Sequence, residues 1–325
     1  MIKVITLFKY FLPQLILVLA YGKVGAQDNR FAGTEIRYYG TGCLTVQRGE
    51  TAILTDPYVS NLPAVQVSLG KVKTDKKYVD LYVNPGTFRK VKMVVAGHSR
   101  YSHLLDMPYL SKYLPSSSPV LLNHSGKHIL SYYQLKQQMV VVNDIAGSGR
   151  ELGYWYYSAD STVRAMAFKS NLQSKVSGPG SQNRVYNADL SGEPILVSDW
   201  QAGNVYSYII DFLEEDTIGY RMLFMSSGAA EPNGMFPRKL INEHPINDVF
   251  ISASANLDFD DYPGPLLDLC SPERVFLIHW ERSGKKKESQ MKAIDQKELD
   301  ALKAKLFQHY GDGIEIIVPI PLKYY

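Results

Sequence analysis

The sequence predicts an α/β protein in which two β-sheets pack together and are flanked by helices. The expected mature chain opens with short strands joined by tight turns, its middle alternates strands with helices, and its second half returns to strands and one amphipathic helix. No repeat, heptad pattern or linker divides these parts. We therefore expect residues 27–325 to form a single domain.

Residues 1–26 have the pattern of a secretory signal peptide, in which basic residues, an apolar run and small residues follow in order. Lys3 and Lys9 precede the apolar residues 10–21, and Ala26 ends the small-residue stretch. An uncleaved membrane anchor is the alternative, but the run is short for a membrane span, which needs about 20 residues. We expect cleavage after Ala26 and an exported protein, periplasmic or secreted, without membrane contact afterwards.

The formal net charge of +3 belongs to this segment, because residues 1–26 carry three lysines and no acidic residue. The rest of the chain is close to neutral, so we expect no nucleic-acid partner. Apolar residues make up 45% of the sequence, which is enough for a large core. Export permits a disulfide between Cys43 and Cys270, but both lie in or beside apolar segments, and two buried free thiols are at least as good a prediction.

The first predicted elements are strands bounded by turn residues, at 35–39, 44–48 and 52–55. Residues 58–90 have no regular period and include a lysine-rich piece from Lys71 to Lys77, so we expect a solvated surface excursion. Strand–helix–strand alternation follows. Its predicted strands are 93–96, 119–122 and 139–142, and its predicted helices lie near 104–113 and 126–135.

The second half adds predicted strands at residues 162–168, 205–212, 221–225, 249–252 and 275–278. Residues 170–194 are rich in Ser, Gly and Asn, and we expect a long loop of the kind that often carries function. Asp295 and Glu298 have the spacing of a helix cap. The helix that they open has an apolar face, ends at Gly311 and precedes a last strand at 314–318.

Two histidines mark the loop between the predicted strand 93–96 and the helix that follows it. His98 and His103 lie within Gly97–Pro108. Loops that follow the strands of an α/β sheet are where ligand sites are usually found. The spacing therefore predicts a site at this loop.

This loop and five other stretches, in the same order along the chain, resemble the metallo-β-lactamase superfamily. The other stretches are Gly40–Cys43, Leu54–Pro57, Asp199–Trp200, Ser226–Gly234 and His279–Glu281. The resemblance implies a four-layer αββα sandwich with a metal site at one edge of the sheets. In that superfamily, bound metal lowers the pKa of a water molecule and turns it into a nucleophile.

The superfamily motif in the loop is His-x-His-x-Asp-His, and a His, an Asp and a final His follow later in the chain. The positions that match are His98, His103 and His279. The positions that depart from the pattern are Arg100, Ser102, Asn171 and Ser226. Serine brings no negative charge, and arginine stays protonated without a free lone pair, so neither replaces the ligand that is missing.

We therefore expect no metal cofactor. A single zinc or other divalent ion is the alternative, held by the three matching histidines with Asp106 as a further oxygen ligand; otherwise Asp106 caps or braces the next helix. Asp56 is expected to form a turn or to orient a histidine. Arg100 either points into solvent or places a fixed cation beside the imidazoles, which suits a carboxylate, phosphate or sulfate.

The leading hypothesis is a degenerate member of this fold that lacks dinuclear zinc hydrolase activity. It binds a small or anionic ligand through Arg100, His98, His103 and His279, and whether it is an enzyme stays open; if it is active, it is a metal-dependent hydrolase. The rival hypothesis is a hydrolase in which the three histidines hold one metal ion that activates water against an ester, amide or phosphodiester. A third hypothesis is a purely structural protein of the cell envelope.

Overall fold

The computed structural model describes residues 33–172, 184–282, 284 and 291–325, and Thr34–Tyr325 forms one compact unit. The predicted signal peptide, residues 1–26, lies outside the described residues, as do residues 173–183 of the predicted long loop. No helix in the described part of the chain is long and apolar enough to cross a membrane.

The first sheet is formed by the opening strands and the alternating middle of the chain. Its strands are β1 (Thr34–Gly40), β2 (Cys43–Arg48), β3 (Thr51–Thr55), β4 (Val91–Val95), β5 (Val120–Leu122) and β6 (Met139–Val141). They lie in chain order across the sheet. Strands β1 to β3 are antiparallel and β3 to β6 are parallel, because tight turns join the former and helical crossovers join the latter.

The second sheet is formed by the rest of the chain. Its strands are β7 (Tyr156–Tyr157), β8 (Val163–Lys169), β9 (Tyr206–Glu214), β10 (Thr217–Met225), β11 (Asp248–Ser252), β12 (Arg274–Ile278) and β13 (Glu315–Ile317). They too lie in chain order, antiparallel from β7 to β10 and parallel from β10 to β13. Strand β10 begins four residues before its predicted start, because Thr217 pairs with Glu214 across a tight hairpin.

The helices cover the outer faces of the two sheets. Those of the first half are α1 (Ala64–Ser68), α2 (Lys76–Tyr82), α3 (Pro85–Arg89), α4 (Tyr101–Leu104), α5 (Met107–Leu110) and α6 (His124–Leu130). Those of the second half are α7 (Lys239–Glu243), α8 (Gly264–Cys270) and α9 (Gln296–Tyr310). Asp295 caps α9 by accepting a hydrogen bond from the backbone of Glu298 at 3.2 Å, as the sequence predicts.

Three apolar cores separate four layers. In β3, Leu54 faces the helices of the first half, and its neighbour Ile53 faces the second sheet. In β10, Phe224 faces the first sheet, and Leu223 faces the helices of the second half. Successive residues of a strand point to opposite faces, so both sheets are buried on two sides. The predicted αββα sandwich is confirmed.

The prediction of a surface excursion over residues 58–90 is wrong. Helices α1 to α3 lie there, and Val79 and Phe88 have no exposed surface. Lys73 and Lys77 do face solvent. The segment lacks a clear period because each short helix contributes only one or two residues to the core, which is too few for an amphipathic pattern.

The predicted helix near residues 104–113 is divided into α4 and α5, and it begins earlier, at Tyr101. Pro108 lies in the first turn of α5, where its missing N–H costs nothing. Both cysteines, Cys43 and Cys270, are buried free thiols. They lie in different cores, on opposite sides of the sandwich.

Candidate functional site

The candidate site lies where strands of both sheets reach their carboxyl ends. The residues that follow these strands are Asp56 after β3, Gly97 and His98 after β4, Ser226 after β10, Ser254 after β11 and His279 after β12. Parallel strands end at the same edge of a sheet, so the two sheets bring five chain segments to one place. The backbone N–H of Tyr206 in β9 donates to the carbonyl of Gly97 at 2.8 Å and joins the sheets there.

The three predicted histidines are brought together. The rings of His98 and His103 have centroids 3.8 Å apart, and those of His103 and His279 are 5.6 Å apart. His98 and His103 are buried, with 4% and 2% of their surface exposed, whereas His279 is half-buried. The cluster is therefore open to solvent on the side of His279.

Asp56 fixes the orientation of His103. The Nδ1–H of His103 donates to Asp56 Oδ2 at 2.5 Å, and the backbone N–H of Gly97 donates to Asp56 Oδ1 at 2.7 Å. Asp56 has a φ of 35°, a left-handed conformation that costs a residue other than glycine about 1 kcal/mol or more. These charge-assisted hydrogen bonds hold it in that conformation.

The contact between His98 and the Arg100 backbone leaves the Nε2–H of His98 as a hydrogen-bond donor. The backbone N–H of Arg100 points at His98 Nδ1 over 3.3 Å, and because a backbone N–H can only donate, Nδ1 accepts. Burial holds the pKa of His98 well below its usual value, and His103, Arg100 and His279 lower it further. The neutral ring then carries its proton on Nε2.

His279 is held from both sheets. Its backbone N–H donates to the carbonyl of Thr41 at 2.9 Å, and its φ is 54°. The Oγ of Ser254 lies 3.0 Å from His279 Nδ1. Burial lowers the pKa of His279 to about 3, with additional lowering from His103 and Arg100, so this imidazole is also neutral at pH 7.

Arg100 follows His98 by two residues and adds a positive charge to the cluster. Its positive charge lowers the pKa of both His98 and His279, in each case less than burial does. Arg100 is half-buried, and its guanidinium makes no hydrogen bond or ion pair with any described residue. The site therefore holds a cation without a counter-ion in the described chain.

Ser226 adds a second unsatisfied group. Its hydroxyl is buried and has no hydrogen-bond partner among the described residues. A Cβ at Gly97 would collide with Ser226 Oγ, and a Cβ at Gly42 would collide with Asp56. Only glycines fit at these two positions, because the backbone passes so close to the polar groups of the site.

Three other residues considered from the sequence, Asp106, Asn171 and Ser102, make no hydrogen bond with the three histidine side chains in the described chain. Both oxygens of Asp106 accept from Ser60, from its backbone N–H at 2.6 Å and from its hydroxyl at 2.7 Å, so this carboxylate braces the loop after β3. Burial raises the pKa of Asp106 to about 6. Asn171 accepts from the backbone of Ala230 at 3.2 Å and supports the loop after β10, while Ser102 lies half-buried within α4.

Sequence reasoning missed two supports of His279. Ser254 received no role, although it lies two residues after the predicted strand 249–252, at the edge where the site residues meet. Glu281 is 6% exposed and accepts from the Tyr38 hydroxyl at 2.8 Å and from the Thr41 backbone. It ties the end of β12 to the β1–β2 turn.

The architecture matches solved metal-dependent hydrolases. A metallo hydrolase from the archaeon Ignicoccus hospitalis has a TM-score of 0.51 at 15% identity, over 90% of this chain and 97% of that one. A possible metal-dependent hydrolase from Veillonella parvula has a TM-score of 0.52 at 13% identity, over 90% and 99%. The chain has the metallo-β-lactamase fold. No family model and no curated protein matches the sequence.

The metallo-β-lactamase fold protein YhfI from Bacillus subtilis is also similar, with a TM-score of 0.49 and 9% identity over 90% of this chain and 99% of that one. At these identities the likeness concerns the fold alone. Whether this chain can bind a metal ion has to be judged from the donor atoms of its own residues.

The donor set does not fit a dinuclear metal centre. No group of three or more His, Cys, Asp or Glu residues in the described ranges is placed to hold a metal ion. His103 donates through Nδ1 to Asp56 and so keeps Nε2 free as a donor atom, as a metal-ligating histidine does. Nε2 of His98, by contrast, carries a proton in the hydrogen-bonding arrangement described above. Arg100 cannot donate a lone pair, and its charge about 4 Å from a divalent ion would cost about 8 kcal/mol at an effective dielectric of about 20.

Proposed function

We propose that this metallo-β-lactamase-fold protein binds a small anion beside Arg100 and lacks the dinuclear metal hydrolase chemistry usual for the fold. The observation that carries the proposal is the half-buried side chain of Arg100, whose guanidinium has no partner in the described chain and whose backbone N–H contacts His98. A cation removed from water without a partner is costly. A bound anion supplies the partner.

The chemistry of the donors defines the ligand class. Arginine presents a planar fork that bonds two oxygens of a carboxylate, phosphate or sulfate at once. The Nε2–H of His98 adds a neutral donor. Because His98 is buried and Arg100 and His279 are half-buried, an anion meets Arg100 and His279 first and reaches His98 last.

The test is titration of the purified mature protein with sulfate, phosphate and acetate by isothermal titration calorimetry. Arg100→Gln removes the charge, and we expect affinity for the preferred anion to fall tenfold to hundredfold, as is typical for a charge-assisted hydrogen bond worth about 1.5–3 kcal/mol. Arg89→Gln is the matched control, since Arg89 is exposed at the end of α3. An equal loss in both variants, or no binding by the wild type, contradicts the proposal.

Metal analysis tests the second half of the proposal. We expect far less than one equivalent of zinc or iron in the purified protein, and about two equivalents would overturn the proposal. The rival function, hydrolysis through one metal ion, predicts a chelator-sensitive activity on esters, amides or phosphodiesters that His103→Ala abolishes. Inactivity on all three substrate classes counts against that rival.

We also propose that the protein is exported. The support is the order of basic, apolar and small residues over 1–26. Amino-terminal sequencing of the protein recovered outside the cytoplasm is expected to begin at Gln27. Recovery of the full-length chain from the cytoplasm would contradict export.

A further inference from the structure

The exposed face of helix α1 is apolar and carries no charge. Val65 and Leu69, which closes the helix, are 69% and 77% exposed, and they lie four residues apart, so their side chains share one face. Ala64 and Ser68 are exposed beside them, while Val67 points into the core. Residues 57–70 contain no charged side chain. The solvent-facing side of a surface helix is normally polar or charged, so this face is unusual.

The apolar surface continues onto a neighbouring segment. The backbone N–H of Val72 donates to the carbonyl of Ile195, and that of Val197 donates to the carbonyl of Gly70, both at 2.9 Å, so residues 70–72 and 195–197 lie side by side and antiparallel. Ile195 and Leu196 are 46% and 40% exposed. A contiguous apolar patch marks an interaction site, whereas single exposed apolar residues do not. The name α1 patch is used below for Ala64, Val65, Ser68, Leu69, Ile195 and Leu196.

Exposed lysines border the α1 patch. They follow α1 directly in the chain and are Lys71, Lys73, Lys76 and Lys77. The lysine ion pairs of the described residues involve other lysines, so none of these four is neutralised by a carboxylate there. Lys71 lies directly opposite Leu196 in the antiparallel pair, and side chains of directly opposite residues project on the same side. Apolar and basic side chains therefore share this surface.

The acidic residues nearby leave this surface positive. Residues 57–79 carry four lysines and one acid, Asp75, whose side chain accepts from the backbone N–H of Tyr78 at the start of α2. Lys73 and Lys76 line a recess of about 260 Å³ together with Ile195, and Glu193 in the same recess offsets one charge. The mature chain as a whole is close to neutral, so the positive charge is local to this side of the fold.

An apolar helix face bordered by lysines suits the surface of a bilayer that contains anionic lipids. Aliphatic side chains bury at the boundary between headgroups and acyl chains, and lysines are attracted to the negative surface. A specific interface with a folded protein takes about 20–30 residues a side, far more than the α1 patch has. We propose that the α1 patch docks the mature protein on an anionic membrane surface, with Val65 and Leu69 inserted and the lysines at the phosphates.

The sequence led to a different expectation, that the exported chain makes no membrane contact. That expectation concerned a membrane-spanning anchor in residues 1–26, and peripheral docking needs no spanning segment. The pairing of residues 70–72 with 195–197 brings the apolar and basic side chains together, and these segments are far apart in the chain.

The experiment is flotation of the full mature protein with two kinds of vesicle, one of phosphatidylcholine alone and one of equal parts phosphatidylcholine and phosphatidylglycerol. We expect binding to the mixed vesicles only, weakening as salt is raised because salt screens the lysines. Equal binding to both kinds would overturn the role of the lysines. Absence of binding to both overturns the proposal and leaves an acidic protein as the occupant of this surface.

A first variant removes the inserted side chains and keeps every charge. For Val65→Ser with Leu69→Ser we expect affinity for the mixed vesicles to fall at least about tenfold, since two aliphatic side chains lose their burial. Both positions are exposed, so the melting temperature is expected to match that of the wild type. Phe307→Ser is the matched control, because Phe307 is 60% exposed on α9, which covers the other sheet. An equal loss in the control contradicts docking through α1.

A second variant removes charge and keeps the apolar face. A lysine near an anionic surface contributes about fivefold to affinity, so Lys71→Gln with Lys73→Gln is expected to weaken binding about tenfold to thirtyfold. Lys297→Gln with Lys303→Gln is the matched control, since both lysines are exposed on α9. An equal loss in both double variants means that overall charge attracts the vesicles, and the proposed docking surface is then wrong.

A third variant reports insertion directly. Leu69→Trp places an indole on the exposed face of α1, and we expect its fluorescence to shift to shorter wavelength on mixed vesicles, relative to the wild type, as the ring leaves water. If the variant floats with the vesicles and its emission does not shift, the helix face stays in water and the proposed insertion is overturned.

Discussion

The two halves of the histidine site differ in how well their polar groups are satisfied. On one side, Asp56 bonds both His103 and the Gly97 backbone, and each of its oxygens is used. On the other side, the Arg100 guanidinium and the Ser226 hydroxyl have no partner in the described chain. Buried polar groups are almost always paired in folded proteins. The first half therefore stabilises the fold, and the second half is where a ligand is expected.

The hydrogen bonds of the satisfied half hold the strand ends without involving a metal ion. Asp56 and His103 keep the strand ends together whether or not a metal is bound. Arg100 and Ser226 lie in the half whose polar groups have no partner in the described chain. Hydrogen bonds among the residues of this chain therefore hold these strand ends.

The largest expected effect comes from breaking the satisfied half. Asp56→Ala leaves His103 and the Gly97 N–H buried without their acceptor, and we expect a loss of about 3–5 kcal/mol in the free energy of unfolding. Urea denaturation measures it. Asp56→Asn keeps one acceptor oxygen and should lose less. An effect below about 1 kcal/mol for Asp56→Ala would show that the pair does not hold the strand ends.

A second buried carboxylate gives a pH-dependent effect. The pKa of Asp106 is raised to about 6, so between about pH 4 and 6 the folded protein retains a proton that the unfolded chain has lost. The free energy of unfolding therefore falls as the pH rises through this window, by up to about 1.4 kcal/mol per pH unit. Above about pH 6 the contribution of Asp106 no longer changes with pH. We expect Asp106→Asn to remove this fall in urea denaturation measured from pH 4 to 7.

Asp106→Asn also weakens the bonds to Ser60, so the absolute stability of the variant is expected to be lower at every pH. The informative quantity is the slope of the free energy of unfolding against pH, compared with the slope for the wild type. An identical slope in wild type and Asp106→Asn would reject the raised pKa.

The smallest expected effect comes from the unsatisfied half. Ser226→Ala removes a buried hydroxyl that has no partner, so we expect stability to be unchanged or to rise by about 1 kcal/mol in anion-free buffer. If the hydroxyl instead contacts the bound anion, adding the preferred anion should stabilise the wild type more than the variant. A loss above about 1 kcal/mol without any anion would contradict the contrast between the two halves.

The sequence predicted the order of the strands and the αββα sandwich because each strand is a compact apolar run and because the signposts of the superfamily occur in order. It was wrong about residues 58–90, whose short helices each add too few core residues to show a period. It did not assign Ser254 or Glu281, because their partners are distant in sequence. Ser254 meets His279 only when β11 and β12 pair, and Glu281 meets Thr41 only when the ends of β12 and β1 come together.

The sequence by itself determined which side chains stand at the positions that the superfamily motif names: histidine at 98, 103 and 279, and Arg100, Ser102, Asn171 and Ser226 where the motif has a metal ligand. Those are chemical identities, and no folding is needed to know that a guanidinium cannot bind a metal ion. Only the tertiary structure decided where each group points. It left the Arg100 guanidinium half-buried without a partner in the described chain, paired Asp106 with Ser60, and buried the Ser226 hydroxyl where no described residue bonds it. Contacts between residues far apart in the chain form only when both sheets pack together.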